Sequence, residues 1–123
     1  MPQVPDISAA EWKIMKVLWV KSPQGAYDIA DALNRTEAWH PNTVRTMLTR
    51  LRQKRVLGVK KYKNLYLYHP LVSEEDCIHA QSESFLQRLF GGSVRPLLVH
   101  FVKRQRLTKA DLEVLRRILE EES

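Results

Sequence analysis

Apolar residues in the first part of this chain recur at three- and four-residue intervals. The pattern switches to alternation after residue 56 and returns to helical spacing beyond residue 73. The first periodic run is Trp12, Ile14, Met15, Leu18 and Trp19. Before it stands Ser8-Ala9-Ala10-Glu11, a capping box, with Ile7 and Trp12 spaced for a hydrophobic staple. These signals predict a helix over 9–20 with its tryptophans in the core, following an arm, Met1–Ile7, that is unstructured or loosely docked. Ile29, Ala30 and Leu33 give the inward side of a second helix over 26–33, and Asn34–Trp39 reads as a loop. A third helix opens with His40 as its cap and Pro41 at its first position, where a missing N–H costs nothing. Its apolar stripe is Val44, Met47, Leu48 and Leu51.

The alternating stretch is Leu57, Val59, Leu65 and Leu67. It predicts a β-hairpin pairing 57–61 with 65–69 and turning near Lys63-Asn64. Pro70 ends this region. Ser73, followed by Glu74, Glu75 and Asp76, caps a fourth helix that runs to about Phe90 and is stopped by Gly91-Gly92. Ser93–Arg104 is a fifth helix, which accommodates Pro96 only in its first turn. Thr108-x-x-Asp111 starts a sixth. The expected fold is mainly α with a small β-hairpin: a winged helix-turn-helix domain over 1–70 and a three-helix dimerisation region over 71–123. Three short helices rich in Leu and Phe do not readily close a core of their own. Two copies pairing through Phe85, Leu89, Leu97, Leu98, Phe101, Leu112, Leu115 and Leu119 would bury these stripes. The alternative is that the helices fold back on the first domain.

The polar side of the third helix changes the picture. It carries Asn42, Thr43, Arg45, Thr46, Thr49, Arg50 and Gln53, with no carboxylate. A face that only confers solubility usually mixes Glu with Lys. Arg and Asn among short hydroxyls suit a DNA major groove, with some side chains on base edges and others on phosphate. Charge extends the surface. The net charge is +6, and residues 1–70 hold 12 Lys and Arg against 5 Asp and Glu, whereas residues 71–123 hold 8 against 9. No acid occurs between Glu37 and Glu74, an interval containing Arg45, Arg50, Arg52, Lys54, Arg55, Lys60, Lys61 and Lys63. Such a block argues for a polyanionic partner. Lys60, Lys61 and Lys63 collect near the hairpin tip, as in a wing that touches phosphate beside the helix. The contact residues expected are Asn42, Thr43, Arg45, Thr46, Thr49 and Arg50 with these three lysines. Arg45 and Thr46 are the preferred base readers.

Other chemistry finds little support. A single cysteine, Cys77, excludes an internal disulfide framework and a cysteine-cluster metal site, so no metal or cofactor is expected. His40, His69, His79 and His100 are scattered, and Cys77 and His79 stand two apart on a helix, where side chains do not face each other. An enzyme is not expected. With no long apolar run and no signal-peptide pattern, the expected location is cytoplasmic. A winged helix that docks a protein, or one that activates transcription, is the alternative function; a protein dock would more often show apolar groups on the third helix.

The chain also carries a family's words in that family's order. They are I-S-x-A-E-W-x-x-M at Ile7–Met15 with Trp19 after it, P-x-T-V-R-T-x-L-T-R-L at Pro41–Leu51, and Y-x-Y at Tyr66–Tyr68. F-x-x-x-x-F-G-G at Phe85–Gly92 and L-x-x-x-x-L-E-x-L-R-x-I-L at Leu107–Leu119 follow. In these it resembles the BlaI/MecI penicillinase-repressor family, which includes CopY-type copper-responsive repressors. The resemblance spans essentially the whole chain. It implies a homodimeric repressor on a palindromic operator, with an N-terminal winged helix and a C-terminal dimerisation region. It also implies a sensor-linked protease as a partner, since induction in the family follows cleavage of an Asn–Phe bond in the dimerisation region. The matching position here is His100-Phe101, which keeps the phenylalanine and replaces the asparagine. The C-terminal cysteine cluster of the CopY branch has no counterpart here.

Overall fold

The computed structural model describes residues 4–122. Helix α1 spans Ala9–Val20 and begins with the capping box: Ser8 Oγ accepts from Glu11 N, and Glu11 Oε1 accepts from Ser8 N. Helices α2 (Ala26–Leu33) and α3 (Pro41–Gln53) form the helix-turn-helix. His40 caps α3, its Nδ1 accepting from Asn42 N at 3.1 Å. Strands β1 (Leu57–Tyr62) and β2 (Leu65–Pro70) make an antiparallel hairpin in the register Leu57↔Pro70, Lys61↔Tyr66 and Tyr62↔Leu65, with Lys63 at positive φ in its turn. Each strand runs one residue longer than the alternation suggests. A single bridge, Gln24↔Tyr68, adds a third edge to the hairpin and ties it to the start of α2. Helices α4 (Glu74–Phe90), α5 (Val94–Lys103) and α6 (Lys109–Glu122) follow. The architecture is therefore a winged helix-turn-helix with a helical region after it.

Two compact units divide the chain, Met1–Ala80 and Gln81–Ser123, so the division falls inside α4. In the first unit Ile14, Met15 and Leu18 of α1 pack with Ile29 and Leu33 of α2, Val44, Leu48 and Leu51 of α3, and Val56 and Leu57. Trp12 and Trp19 stand at its margin, rings edge to face with centroids 5.4 Å apart. Val72 belongs here too, its carbonyl accepting from Trp19 Nε1 at 3.0 Å. Cys77, in the first turns of α4, is fully buried in the same core, and burial together with Asp76 and Glu74 holds its thiol above the usual range. The arm is docked from Val4 onward, with Ile7 buried; residues 1–3 of the predicted arm lie outside the described residues.

One buried charge shapes this unit. Glu11 is only 3 % exposed, and its Oε1 lies 2.6 Å from Lys54 Nζ, which also donates to Asp6 O at 2.8 Å. Lys54 is the C-cap of α3. A single ammonium therefore joins the arm, the first turn of α1 and the end of α3. Arg55 follows at φ 64, in a Schellman motif closed by Val56 N to Leu51 O and Arg55 N to Arg52 O. Glycine is the usual residue at such a position; here an exposed cation occupies it.

In the second unit, Gly91 and Gly92 at positive φ terminate α4, and Ser93 precedes α5. Gln105 ends α5 in another Schellman motif, with Arg106 N on Phe101 O. Thr108 and Asp111 make a reciprocal capping box for α6, which draws the Asp111 carboxyl below its usual range. Neither α5 nor α6 has a buried residue.

Candidate nucleic-acid interface

The apolar stripe of α3 is what aims its other side. Val44, Leu48 and Leu51 are completely buried, so a rigid helix must present the remaining positions outward. Asn42, Thr43, Arg45, Thr46, Thr49 and Arg50 are all exposed. Asn42, Arg45, Thr46 and Thr49 follow i, i+3, i+4 and i+7 spacing and share one face, with Thr43 and Arg50 beside them. Thr46 Oγ1 donates to Asn42 O at 2.9 Å, and Thr49 Oγ1 donates to Arg45 O at 3.0 Å. Both hydroxyl protons are thus committed to the helix. What each threonine offers outward is an acceptor oxygen and a methyl group, a combination suited to a thymine methyl.

Arg45 is held on two sides. Its guanidinium carbon lies 4.9 Å from the Tyr27 ring centre, and its Nη1 is 3.5 Å from Asn42 Oδ1. Arg45 and Thr49 form one wall of a groove of ≈ 560 Å³ whose other walls are Gly25 with the first turn of α2 through Asp28, and Asn64–Tyr68 of the hairpin. Of the predicted residues, this groove collects only those two. Asn42, Thr43, Thr46 and Arg50 lie on the helix outside it. The hairpin also separates its lysines. Lys60 pairs with Leu67 and Lys61 with Tyr66, so the two point to opposite faces of the ribbon. Lys61 shares the face of Tyr66, a groove residue, with Nζ 5.9 Å from that ring. Lys63 sits in the turn, 5.5 Å from the Tyr62 ring.

Charge is sorted in the same way. Lys13 pairs with Glu37, Lys16 with Glu74 at 2.5 Å, and Lys54 with Glu11. Lys54, though part of the acid-free block, is thus committed within the fold: proximity in sequence could not show that its partner is a buried carboxylate on α1. Arg45, Arg50, Arg52, Arg55, Lys60, Lys61 and Lys63 take no part in a salt bridge among the described residues. Among the described residues, Asp28 is the one acid lining the groove. Sequence reasoning missed Tyr27, Asp28 and Tyr66 as members of this surface. Tyr27 did leave a signal, being a large aromatic off the Ile29–Ala30–Leu33 stripe in the first turn of α2.

The predicted pairing residues are in the second unit. Phe85, Leu89, Leu98, Phe101, Leu112, Leu115 and Leu119 are exposed and Leu97 is half-buried. Leu89 and Leu119 are the barest, at 62 % and 70 %. Phe85 and Leu97 also line a hollow of ≈ 440 Å³ between α4 and α5. The His100-Phe101 bond lies within α5, with both side chains exposed and the rings edge to face at 5.6 Å. Among the described residues, no three His, Cys, Asp or Glu side chains gather to hold a metal, and no helix is long and apolar enough to cross a membrane.

The family model of the penicillinase repressor matches residues 7–121. The chain belongs to the penicillinase-repressor family. It is 35 % identical over 121 residues to the penicillinase repressor of Bacillus licheniformis, covering 98 % of this chain and 94 % of that one. It is 33 % identical over 114 residues to the methicillin resistance regulatory protein MecI of Staphylococcus aureus, covering 93 % of each. Among solved structures, the monomeric form of Bacillus licheniformis BlaI in complex with the blaP half-operator superposes with a TM-score of 0.54 at 37 % identity, over 62 % of this chain and 93 % of that one. As a member of this family the protein is a DNA-binding transcriptional regulator, not an enzyme.

Proposed function

We propose that this regulator is a homodimeric repressor that reads a palindromic operator with α3 of each protomer and holds adjoining phosphates with its wing. The observation that carries this reading is the exposed, carboxylate-free face of α3, rigidly aimed by its buried stripe and continued by hairpin lysines that join no salt bridge among the described residues. Repression is supported by the relatives that bear that name, and one protomer per half-site by the relative solved on a half-operator. Pairing is supported by the bare Leu and Phe side chains of α4, α5 and α6, which gain from any partner that removes them from water. The Gln81–Ser123 unit is accordingly read as the dimerisation region.

Footprinting of the purified protein on the DNA upstream of its own gene, with sedimentation velocity on the same sample, tests the whole reading. A dimer protecting an inverted repeat, with half-site centres about 10 base pairs or a multiple apart, is expected. A monomer in solution that protects a single unrepeated site would overturn it. The wing has its own test. Replacing Lys60, Lys61 and Lys63 together by alanine should weaken binding to all DNA alike. The slope of log affinity against log salt should drop by roughly 1 for each phosphate that the variant no longer neutralises. An unchanged slope would remove the wing from the interface.

Release from DNA by a sensor-linked protease would need the His100-Phe101 bond in an extended form. It is helical here, so cutting it requires the last turns of α5 to open first.

A further inference from the structure

Arg45 has a feature that its role as a base reader does not by itself explain. A long arginine on an exposed helix face normally samples many rotamers, and ordering it opposes binding. Here the guanidinium carbon lies over the Tyr27 ring, 4.9 Å from its centre, within the range of a cation–π contact. Tyr27 stands at the second position of α2, outside that helix's buried stripe of Ile29, Ala30 and Leu33, and remains 62 % exposed. Its burial in the core therefore does not account for an aromatic residue at this position. The packing of α2 on α3 is what brings the two side chains together, and Asn42 Oδ1 meets the guanidinium at 3.5 Å from α3 itself. A ring lying against the flat side of a guanidinium leaves the N–H groups that Asn42 does not engage free to point outward. Those N–H groups are the part that makes bidentate bonds to the O6 and N7 of a guanine.

We propose that Tyr27 is a positioning residue: it holds the guanidinium of Arg45 in a fixed plane and thereby sets how sharply this protein discriminates at one base pair of each half-site. The proposal rests on the reading of Arg45 as a base reader. It adds that the discrimination is built across two helices, with the ring on α2 and the reader on α3. The phenol oxygen is not required, because the ring face does the holding.

The test uses the full-length protein and two duplexes. One is enriched by the wild-type protein from random-sequence DNA; the other is a shuffled duplex of equal length. Tyr27→Phe should bind both as wild type does. Tyr27→Leu should lose about twofold to fivefold in affinity per half-site on the enriched duplex and nothing on the shuffled one. Sequences selected by Tyr27→Leu should be blurred at the same base pair that Arg45→Ala blurs. In an Arg45→Ala background, Tyr27→Leu should have no further effect. Because the side chain is exposed, thermal unfolding should be unaltered.

The outcomes separate cleanly. If Arg45→Ala keeps the wild-type ratio between duplexes, Arg45 reads no base and the inference falls with that reading. If Arg45→Ala collapses the ratio but Tyr27→Leu keeps it, the base reading stands and the positioning role is wrong. An equal loss on both duplexes in Tyr27→Leu and Tyr27→Phe would make the phenol a plain backbone contact, which also overturns the proposal.

Discussion

Lys54→Met should destabilise the protein by about 3 kcal/mol, read as a lower urea midpoint at pH 7. The reason lies in Glu11. Its carboxyl is nearly inaccessible, and its Oε2 has no hydrogen-bond partner among the described residues. Lys54 Nζ at 2.6 Å and the Ser8 N–H on Oε1 are what keep the charge tolerable. Burial pushes the Glu11 carboxyl up, but hydrogen bonds from Lys54 and Ser8 and the lysine's charge outweigh it, so the group sits below the ordinary carboxylate value. The sign follows from that direction. A carboxyl lowered on folding contributes stability that is fully present above its unfolded value and is lost as pH falls through the folded one. In Lys54→Met, burial meets less opposition, with only the Ser8 hydrogen bonds left against it, so the carboxyl should move up relative to wild type. The gap between wild type and variant should therefore narrow as pH falls through the carboxylate range. Removing both charges, as Glu11→Leu with Lys54→Met, should restore much of the loss, because an apolar pair needs no compensation. Equal midpoints for wild type and Lys54→Met at pH 7 would show that the pair contributes nothing. The pair also bears on the proposed function, since Lys54 caps α3 and its bond to α1 fixes where the proposed reading helix ends.

Arg45→Ala should cost about 1–3 kcal/mol of discrimination per half-site, and a palindrome read by two protomers loses it twice. Competition between the footprinted operator and scrambled DNA measures this directly. Binding to scrambled DNA should fall much less, because phosphate contacts, not base contacts, supply it. Arg50→Ala makes the contrast. If Arg50 holds a phosphate, as its place beside the proposed reading face suggests, its loss should lower affinity for every sequence and reduce the salt slope, leaving preference intact. An Arg45→Ala protein with full affinity and full preference would remove α3 as the reading element.

Local chemistry explains why so much of the fold was legible. The capping boxes at Ser8 and Thr108, Pro41 at the start of α3 and Gly91-Gly92 at the end of α4 are decided within four or five residues, and each lies where its pattern places it. The buried stripes of α2 and α3 are equally local, because helical periodicity alone determines which side chains share a side. The exposed face of α3, and with it Asn42, Arg45, Thr46 and Thr49, followed from the same count.

What the chain order does not contain is which distant groups meet. Lys54 reads as one more cation in an acid-free run until Glu11, 43 residues earlier, is found beneath it. Lys60 and Lys61 read as neighbours until pairing in the hairpin turns them to opposite faces. Tyr27 reads as a stray aromatic until α2 crosses α3 and sets it under Arg45. The sequence by itself determined the helices, the wing, the carboxylate-free charge on the outer side of α3 and the family, because those depend on spacing and composition along the chain. Only the tertiary structure decided which cations of the described residues stay out of salt bridges, which tyrosine touches Arg45 and how far the first core extends into α4. Those depend on distances through space between residues far apart in sequence.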